Sequence, residues 1–163
     1  MSPSDVANAI RARVAAELLA ELQSLEDLAA SVADMGAQPS TRMHALALAF
    51  QLERYYTGAE ALLSRALRAM DGDVPSGGSS HQEILRAASV AIDGLRPAIV
   101  SNEVFLQLRD LLAFRHYARH GYDAEPRSNR VGEIAGLLLQ MHPALVACIR
   151  RFADWLSRSG DGT

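Results

Sequence analysis

The chain has 163 residues, of which 49% are hydrophobic and 21% are charged. This length suits one domain with a substantial core, and the composition excludes a disordered or collagen-like protein. The formal net charge of −3 argues against a protein that coats nucleic acid non-specifically, so any RNA site must be a local patch.

Two features bear on the compartment and on redox chemistry. Charged residues such as Asp5, Arg11 and Glu17 interrupt every apolar run in the first 20 residues, so we expect neither a secretory signal nor a membrane-spanning segment there. We therefore expect a cytoplasmic protein without a membrane partner.

Cys148 is the only cysteine, which excludes an intrachain disulfide and a multi-cysteine zinc module. We expect its thiol to be buried.

Apolar residues recur at intervals of three and four along nearly the whole chain, which predicts an all-α protein. The first helix is predicted from about Asp5 to Asp34, and Gly36 and Pro39 are expected to end it. Its predicted buried stripe consists of Val14, Leu18, Leu22, Leu25 and Leu28.

The second predicted helix begins at residue 40 or 41, ends near residue 71 and carries apolar residues that include Leu46, Phe50, Leu52 and Leu62. A loop rich in Asp, Gly, Pro and Ser follows it. Ser80 and Glu83 have the spacing of a capping box, which predicts a third helix from residue 80 to about residue 93.

A fourth helix is predicted to begin at Pro97, or slightly later with Ser101 as its cap, and to continue to about Arg119. After a loop at 123–129, the last helical segment spans about 131–157, where Pro143 is expected to kink or divide it. Long helices with short connections predict an up-down bundle of four to five helices in a single domain, residues 1–163.

The fourth helix combines an apolar stripe with charged residues. A projection at about 100° per residue places Val104, Leu108, Leu111 and Leu112 on one stripe and adds Arg115 and Arg119 to it. An arginine in line with a core is costly unless it is paired or functional. The alternative is that the last turn projects beyond the core, where arginine complements the helix dipole.

Arg109, His116 and His120 share a neighbouring face of this helix. The two histidines could bind a metal only if a third ligand converged on them, so general acid–base chemistry is the better use. With an arginine that binds phosphate, they supply what RNA cleavage by the ribose 2′-hydroxyl needs, without a metal or cofactor. Residues 109–130 contain five arginines against three acids, although such an excess also occurs on ordinary solvated faces.

The spacing Arg115-x4-His120-x-Tyr122 resembles the Arg-x4-His-x-Tyr signature of HepT-like ribonuclease toxins of the HEPN superfamily. Segments 55–65, 77–85, 96–101 and 114–122 resemble further parts of that family. The resemblance covers roughly Ala45 to Trp155, within a family-like region at 40–158, whereas residues 1–38 match only as an N-terminal helix.

Two residues depart from the family pattern. Ser80 stands where a tryptophan is expected, and His116 stands where many members carry asparagine after the signature arginine. Arg109 and His116, with six residues between them, also satisfy a longer spacing found in the superfamily. We favour Arg115 with His120, because Tyr122 then takes its place in the signature.

The resemblance implies an HEPN-like homodimer whose two motifs form one composite, metal-independent RNA-cleaving site, and a nucleotidyltransferase-type antitoxin as partner. It further implies roles for named residues: catalysis for Arg115, His120 and His116, binding of the RNA phosphates for Arg119 and Arg109, and acceptance of AMP for Tyr122. Two alternatives stay open. The chain could be a non-catalytic HEPN adaptor or nucleotide-binding module that docks a nucleotidyltransferase, or a structural bundle without a site.

Overall fold

The computed structural model describes residues 1–120 and 128–158, apart from the side chains of His120 and Ser128. These residues form five helices: α1 (Pro3–Met35), α2 (Arg42–Asp71), α3 (Ser80–Ala88), α4 (Asn102–His120) and α5 (Ser128–Arg158). Within the described residues no strand forms, and one isolated bridge joins Ile92 to Arg96. The all-α prediction is confirmed, and most of the predicted loop at 123–129 lies outside the described residues.

Helix α1 begins with a capping box. The Ser2 hydroxyl accepts a hydrogen bond of 3.2 Å from the backbone N–H of Asp5, and the Asp5 carboxylate accepts one of 2.7 Å from the backbone N–H of Ser2. This reciprocal pair satisfies two amides near the start of the helix. The predicted stripe is buried from Val14 to Leu25, and Leu28 is half-buried.

Helix α2 starts where it was predicted, because the Thr41 hydroxyl accepts a hydrogen bond of 3.0 Å from the backbone N–H of His44. It carries the four apolar residues named from the sequence, of which Leu52 and Leu62 are buried, whereas Leu46 and Phe50 are 39% and 59% exposed. Leu46 and Phe50 are four residues apart, so they lie on one side of the helix, and that side faces outward.

Helix α3 was predicted to reach residue 93 but ends at Ala88, for a tertiary reason. The Ala88 carbonyl accepts hydrogen bonds from the backbone N–H groups of Ile99 and Val100, at 2.8 and 3.1 Å. The buried Arg96 side chain donates to the carbonyl of Val90 at 2.8 Å. These distant groups satisfy carbonyls that a longer helix would have bonded itself.

A serine precedes each of α3 and α4, but the two serines make different hydrogen bonds. Ser79 precedes α3 and its hydroxyl donates to the Glu83 carboxylate at 2.5 Å, so the capping box predicted for Ser80 was wrong. Ser101 caps α4, because its hydroxyl accepts a hydrogen bond of 3.2 Å from the backbone N–H of Val104. The later of the two predicted starts for the fourth helix is therefore confirmed.

Helix α5 contains Pro143 as an interior residue, so the proline does not divide the helix. By length and composition this helix could cross a membrane, with a mean hydropathy of 1.4 over its most apolar window. Its apolar face instead packs against α1, α2 and α4 as part of the core. Such a core helix does not indicate a membrane protein.

All five helices contribute to one hydrophobic core. Helices α1, α2 and α5 pack against one another, α4 packs against α2 and α5, and α3 packs against α2 and α4. This arrangement confirms the HEPN-like bundle and places the end of α4 beside the middle of α2.

Candidate functional site

Helix α4 carries an apolar stripe that continues into a charged residue. Val104, Leu108, Leu111 and Leu112 are buried, as their spacing predicted. Arg115 lies on the same stripe and is half-buried. The helix therefore brings one guanidinium to the edge of the core.

The Arg115 side chain lies over an aromatic ring of α2. Its Cζ is 5.7 Å from the centroid of the Tyr56 ring. Its Nε is buried and has no hydrogen-bond partner among the described residues. A ring face attracts a cation without occupying its N–H groups, so the contact with Tyr56 leaves the guanidinium unpaired with any carboxylate of the described residues.

Tyr56 belongs to a polar cluster inside the bundle. Its ring is buried, and its hydroxyl donates a hydrogen bond of 2.6 Å to Oε2 of Glu60. Nδ1 of His81 lies 2.9 and 2.8 Å from the two Glu60 oxygens. Burial raises the pKa of Tyr56, and the hydrogen bond and charge of Glu60 raise it further, whereas Arg115 acts in the opposite direction. The phenol therefore stays protonated and able to donate.

Arg119 follows Arg115 by one helical turn and is bound differently. Its Nε donates to the Glu53 carboxylate of α2, and its side chain is 52% exposed. An open groove of about 490 Å³ lies beside it, lined also by Phe50, Arg54 and Thr57. Arg119 could bind a phosphate only in exchange for, or in addition to, this carboxylate.

Arg109 and His116, the alternative pair, are both exposed on α4. The Arg109 guanidinium lies 6.0 Å from the ring centroid of Phe105, on the preceding turn. In contrast to Arg115, neither residue lies at the edge of the core.

The remaining predicted site residues are His120 and Tyr122. His120 is the last residue of α4, and its side chain lies outside the described residues, as does the whole of Tyr122. The pairing of Arg115 with His120 and the role of Tyr122 therefore stay predictions.

Sequence reasoning did not identify Tyr56, Glu60 and His81 as parts of one cluster. The available signal was the spacing of Tyr56 and Glu60, which puts them on one face of a helix. Their contacts with α3 and α4 depend on how the helices pack.

The comparisons with known proteins identify the family. A family model described as HepT-like protein matches residues 47–156, which is more than half of the chain and close to the span of the predicted resemblance. No curated protein and no solved structure matches the chain. The matched segment begins within α2, stops two residues before the end of α5 and contains Arg115, Tyr56 and Glu60. The chain therefore belongs to the HepT-like family of HEPN proteins.

Proposed function

We propose that the chain is the toxin component of a toxin–antitoxin pair, and that it is a metal-independent endoribonuclease acting as a cytoplasmic homodimer. Membership of the HepT-like family suggests the toxin–antitoxin context. The observation that carries the enzymatic part is the half-buried Arg115, whose Nε has no hydrogen-bond partner among the described residues. A guanidinium at the edge of the core that no described carboxylate neutralises can pair with an RNA phosphate through two parallel hydrogen bonds.

The proposed reaction is an internal transesterification of RNA. A histidine takes the proton of a ribose 2′-hydroxyl as its oxygen attacks the adjacent phosphorus, and the bond from phosphorus to the 5′-oxygen breaks. A second histidine, or its symmetry mate, gives a proton to that leaving oxygen. The products are a 2′,3′-cyclic phosphate and a 5′-hydroxyl, and a guanidinium stabilises the charge on the phosphorane.

The residues divide these tasks as follows. Arg115 binds the scissile phosphate, and His120 with its symmetry mate serves as base and acid, or His116 replaces it. Arg119 and Arg109 hold neighbouring phosphates of the RNA backbone. A nucleotidyltransferase-type antitoxin would inactivate the toxin by transferring AMP to Tyr122 or by covering the site.

The test is cleavage of single-stranded RNA and tRNA by the purified protein in EDTA. We expect Arg115→Ala and His120→Ala to lower the cleavage rate by about 100-fold or more, the range that one electrostatic donor supplies. Arg13→Ala is the matched control, because Arg13 is an exposed arginine of α1 with a 3.7 Å contact to Glu17. Intact RNA with the unsubstituted protein, together with equal toxicity of all variants in cells, would contradict the proposal.

Two observations favour a second candidate, a non-catalytic HEPN adaptor that docks a nucleotidyltransferase or binds a nucleotide. Arg119 is already neutralised by Glu53, and the chain has a net charge of −3, which weakens attraction to RNA. Expression of the chain alone separates the two functions. Growth arrest that the neighbouring gene product relieves rejects the adaptor, and normal growth at high expression supports it.

A further inference from the structure

The buried Arg96 and the half-buried Arg115 are held in different ways. Arg96 is saturated: its Nε and Nη2 donate to the Asp71 carboxylate at 2.6 and 2.8 Å, and it also donates to backbone carbonyls. Arg115 instead lies over the Tyr56 ring, and its Nε has no hydrogen-bond partner among the described residues. The first arrangement neutralises the guanidinium within the fold, whereas the second leaves it unpaired with any carboxylate of the described residues.

The Tyr56 ring that contacts Arg115 is itself fixed by a hydrogen bond to Glu60. Tyr56 is 1% exposed, and its hydroxyl is bound to Glu60 at 2.6 Å, so the ring can neither turn out to solvent nor slide along α2 without breaking this bond. A hydrogen bond to a carboxylate is stronger than one between neutral groups. It also pushes electron density toward the ring, which strengthens the attraction of the face for a cation.

Glu60 is held in turn by the first turn of α3. Because a carboxylate only accepts, Nδ1 of His81 must carry the hydrogen that it shares with the two Glu60 oxygens, at 2.9 and 2.8 Å. His81 therefore shares Oε2 of Glu60 with Tyr56 and also contacts Oε1. The three residues join α2 and α3 to the guanidinium on α4.

We propose that Tyr56, Glu60 and His81 are positioning residues. They hold the Arg115 guanidinium, which no carboxylate of the described residues pairs with, in the orientation in which it binds an RNA phosphodiester. The phosphodiester as the bound anion rests on the proposed function, whereas the positioning of Arg115 does not. An aromatic support suits this task, because a carboxylate in its place would compete with the phosphate for the same N–H groups.

Substitutions of Tyr56 separate the ring from its hydroxyl. Tyr56→Phe keeps the ring and loses the bond to Glu60. We expect it to lower kcat for RNA cleavage about 10-fold with little change in KM. Tyr56→Leu removes the ring, and we expect it to lower kcat about 100-fold. Tyr55→Phe is the matched control. It removes the adjacent buried hydroxyl, which lies 2.7 Å from Nδ1 of His142 on α5 and does not touch the cluster.

Substitutions of Glu60 test whether its carboxylate helps to position Tyr56 and Arg115. Glu60→Gln keeps an oxygen that accepts from Tyr56 but loses the charge, so it should retain about 10 times more activity than Glu60→Ala. His81→Gln should fall between them. Equal rates for Tyr55→Phe and Tyr56→Phe, or equal losses for Glu60→Gln and Glu60→Ala, would overturn the positioning role.

A measurement that does not depend on RNA cleavage tests the positioning of Arg115 separately from the proposed function. The ¹⁵Nε–Hε resonance of Arg115, assigned with Arg115→Lys, should shift and its Hε should exchange faster with water in Tyr56→Leu and Glu60→Ala, but not in Tyr55→Phe. An unshifted resonance in the first two variants refutes the positioning role whether or not the protein cleaves RNA. A shifted resonance in a protein that leaves RNA intact supports the positioning role and rejects the nuclease.

Discussion

Arg96 and Asp71 form a two-pronged ion pair that ties the end of α2 to the connection between α3 and α4, with bonds of 2.6 and 2.8 Å. The Arg96 side chain is 1% exposed and also donates to the carbonyls of Ala87 and Val90. We expect Arg96→Ala to lower the free energy of unfolding by about 3–5 kcal/mol, because it leaves a carboxylate and carbonyls without their donor. Unfolding in urea measures the change.

The control for this prediction is Arg65→Ala. Arg65 pairs with Glu17 and Glu21, but its side chain is 45% exposed, so its loss should cost about 0.2–1 kcal/mol. Arg96→Lys should not restore stability, because an ammonium cannot reproduce the fork of bonds. Similar costs for Arg96→Ala and Arg65→Ala would show that the buried pair is not the anchor of this connection.

Two glycines of α5 should respond to alanine in opposite directions. A Cβ at Gly132 would lie 2.6 Å from the backbone oxygen of Ala37, whereas a Cβ at Gly136 meets nothing within 4 Å. Gly132→Ala should therefore lower the free energy of unfolding by about 1–3 kcal/mol, because the connection after α1 must move. Gly136→Ala should raise it by about 0.4–1 kcal/mol, since alanine favours the helix. Thermal unfolding of both variants checks the pair, and a stabilised Gly132→Ala would refute the close contact.

Stability should depend on pH through His142, whose Nδ1 accepts from the Tyr55 hydroxyl at 2.7 Å when the imidazole is neutral. Burial lowers the pKa of His142, and the charge of Glu26 only partly opposes this. The neutral form is thus favoured in the fold. The neutral imidazole contributes fully to the free energy of unfolding above the pKa of His142 in the unfolded chain, about 6.5. This contribution is lost as the pH falls from there through the lower pKa of His142 in the folded protein.

We therefore expect the free energy of unfolding to fall more steeply with decreasing pH below about 6.5 for the unsubstituted protein than for His142→Gln. Urea unfolding at several pH values measures both slopes. Parallel curves would mean that His142 has the same pKa in the folded and unfolded chains.

The composite site predicts that activity depends on self-association. If two motifs must meet, cleavage per chain should fall on dilution over the concentrations at which sedimentation shows a dimer dissociating. Full cleavage by a chain that sediments as a monomer would leave the chemistry in place and reject the shared site.

Much of the fold followed from local patterns. Helix α2 begins after Thr41 and ends at Asp71, close to its predicted bounds, and the apolar residues of the stripe from Val104 to Leu112 are buried as their spacing required. The end of α3 did not follow, because Ile99 and Arg96 take carbonyls near Ala88 that a local pattern assigns to the helix. The exposure of Leu46 and Phe50 did not follow either, because apolar character alone does not say which face of α2 meets a neighbour.

For the candidate site, the sequence by itself determined which residues could do chemistry, since Arg115 stands at a core position of its helix and in the spacing of a family signature. Only the tertiary structure decided what that arginine rests on. Tyr56 and His81 come from other helices, and no spacing within α4 can specify them. Their positions depend on how the helices pack, because the buried faces of α2, α3 and α4 must interlock before a ring can lie beneath the guanidinium.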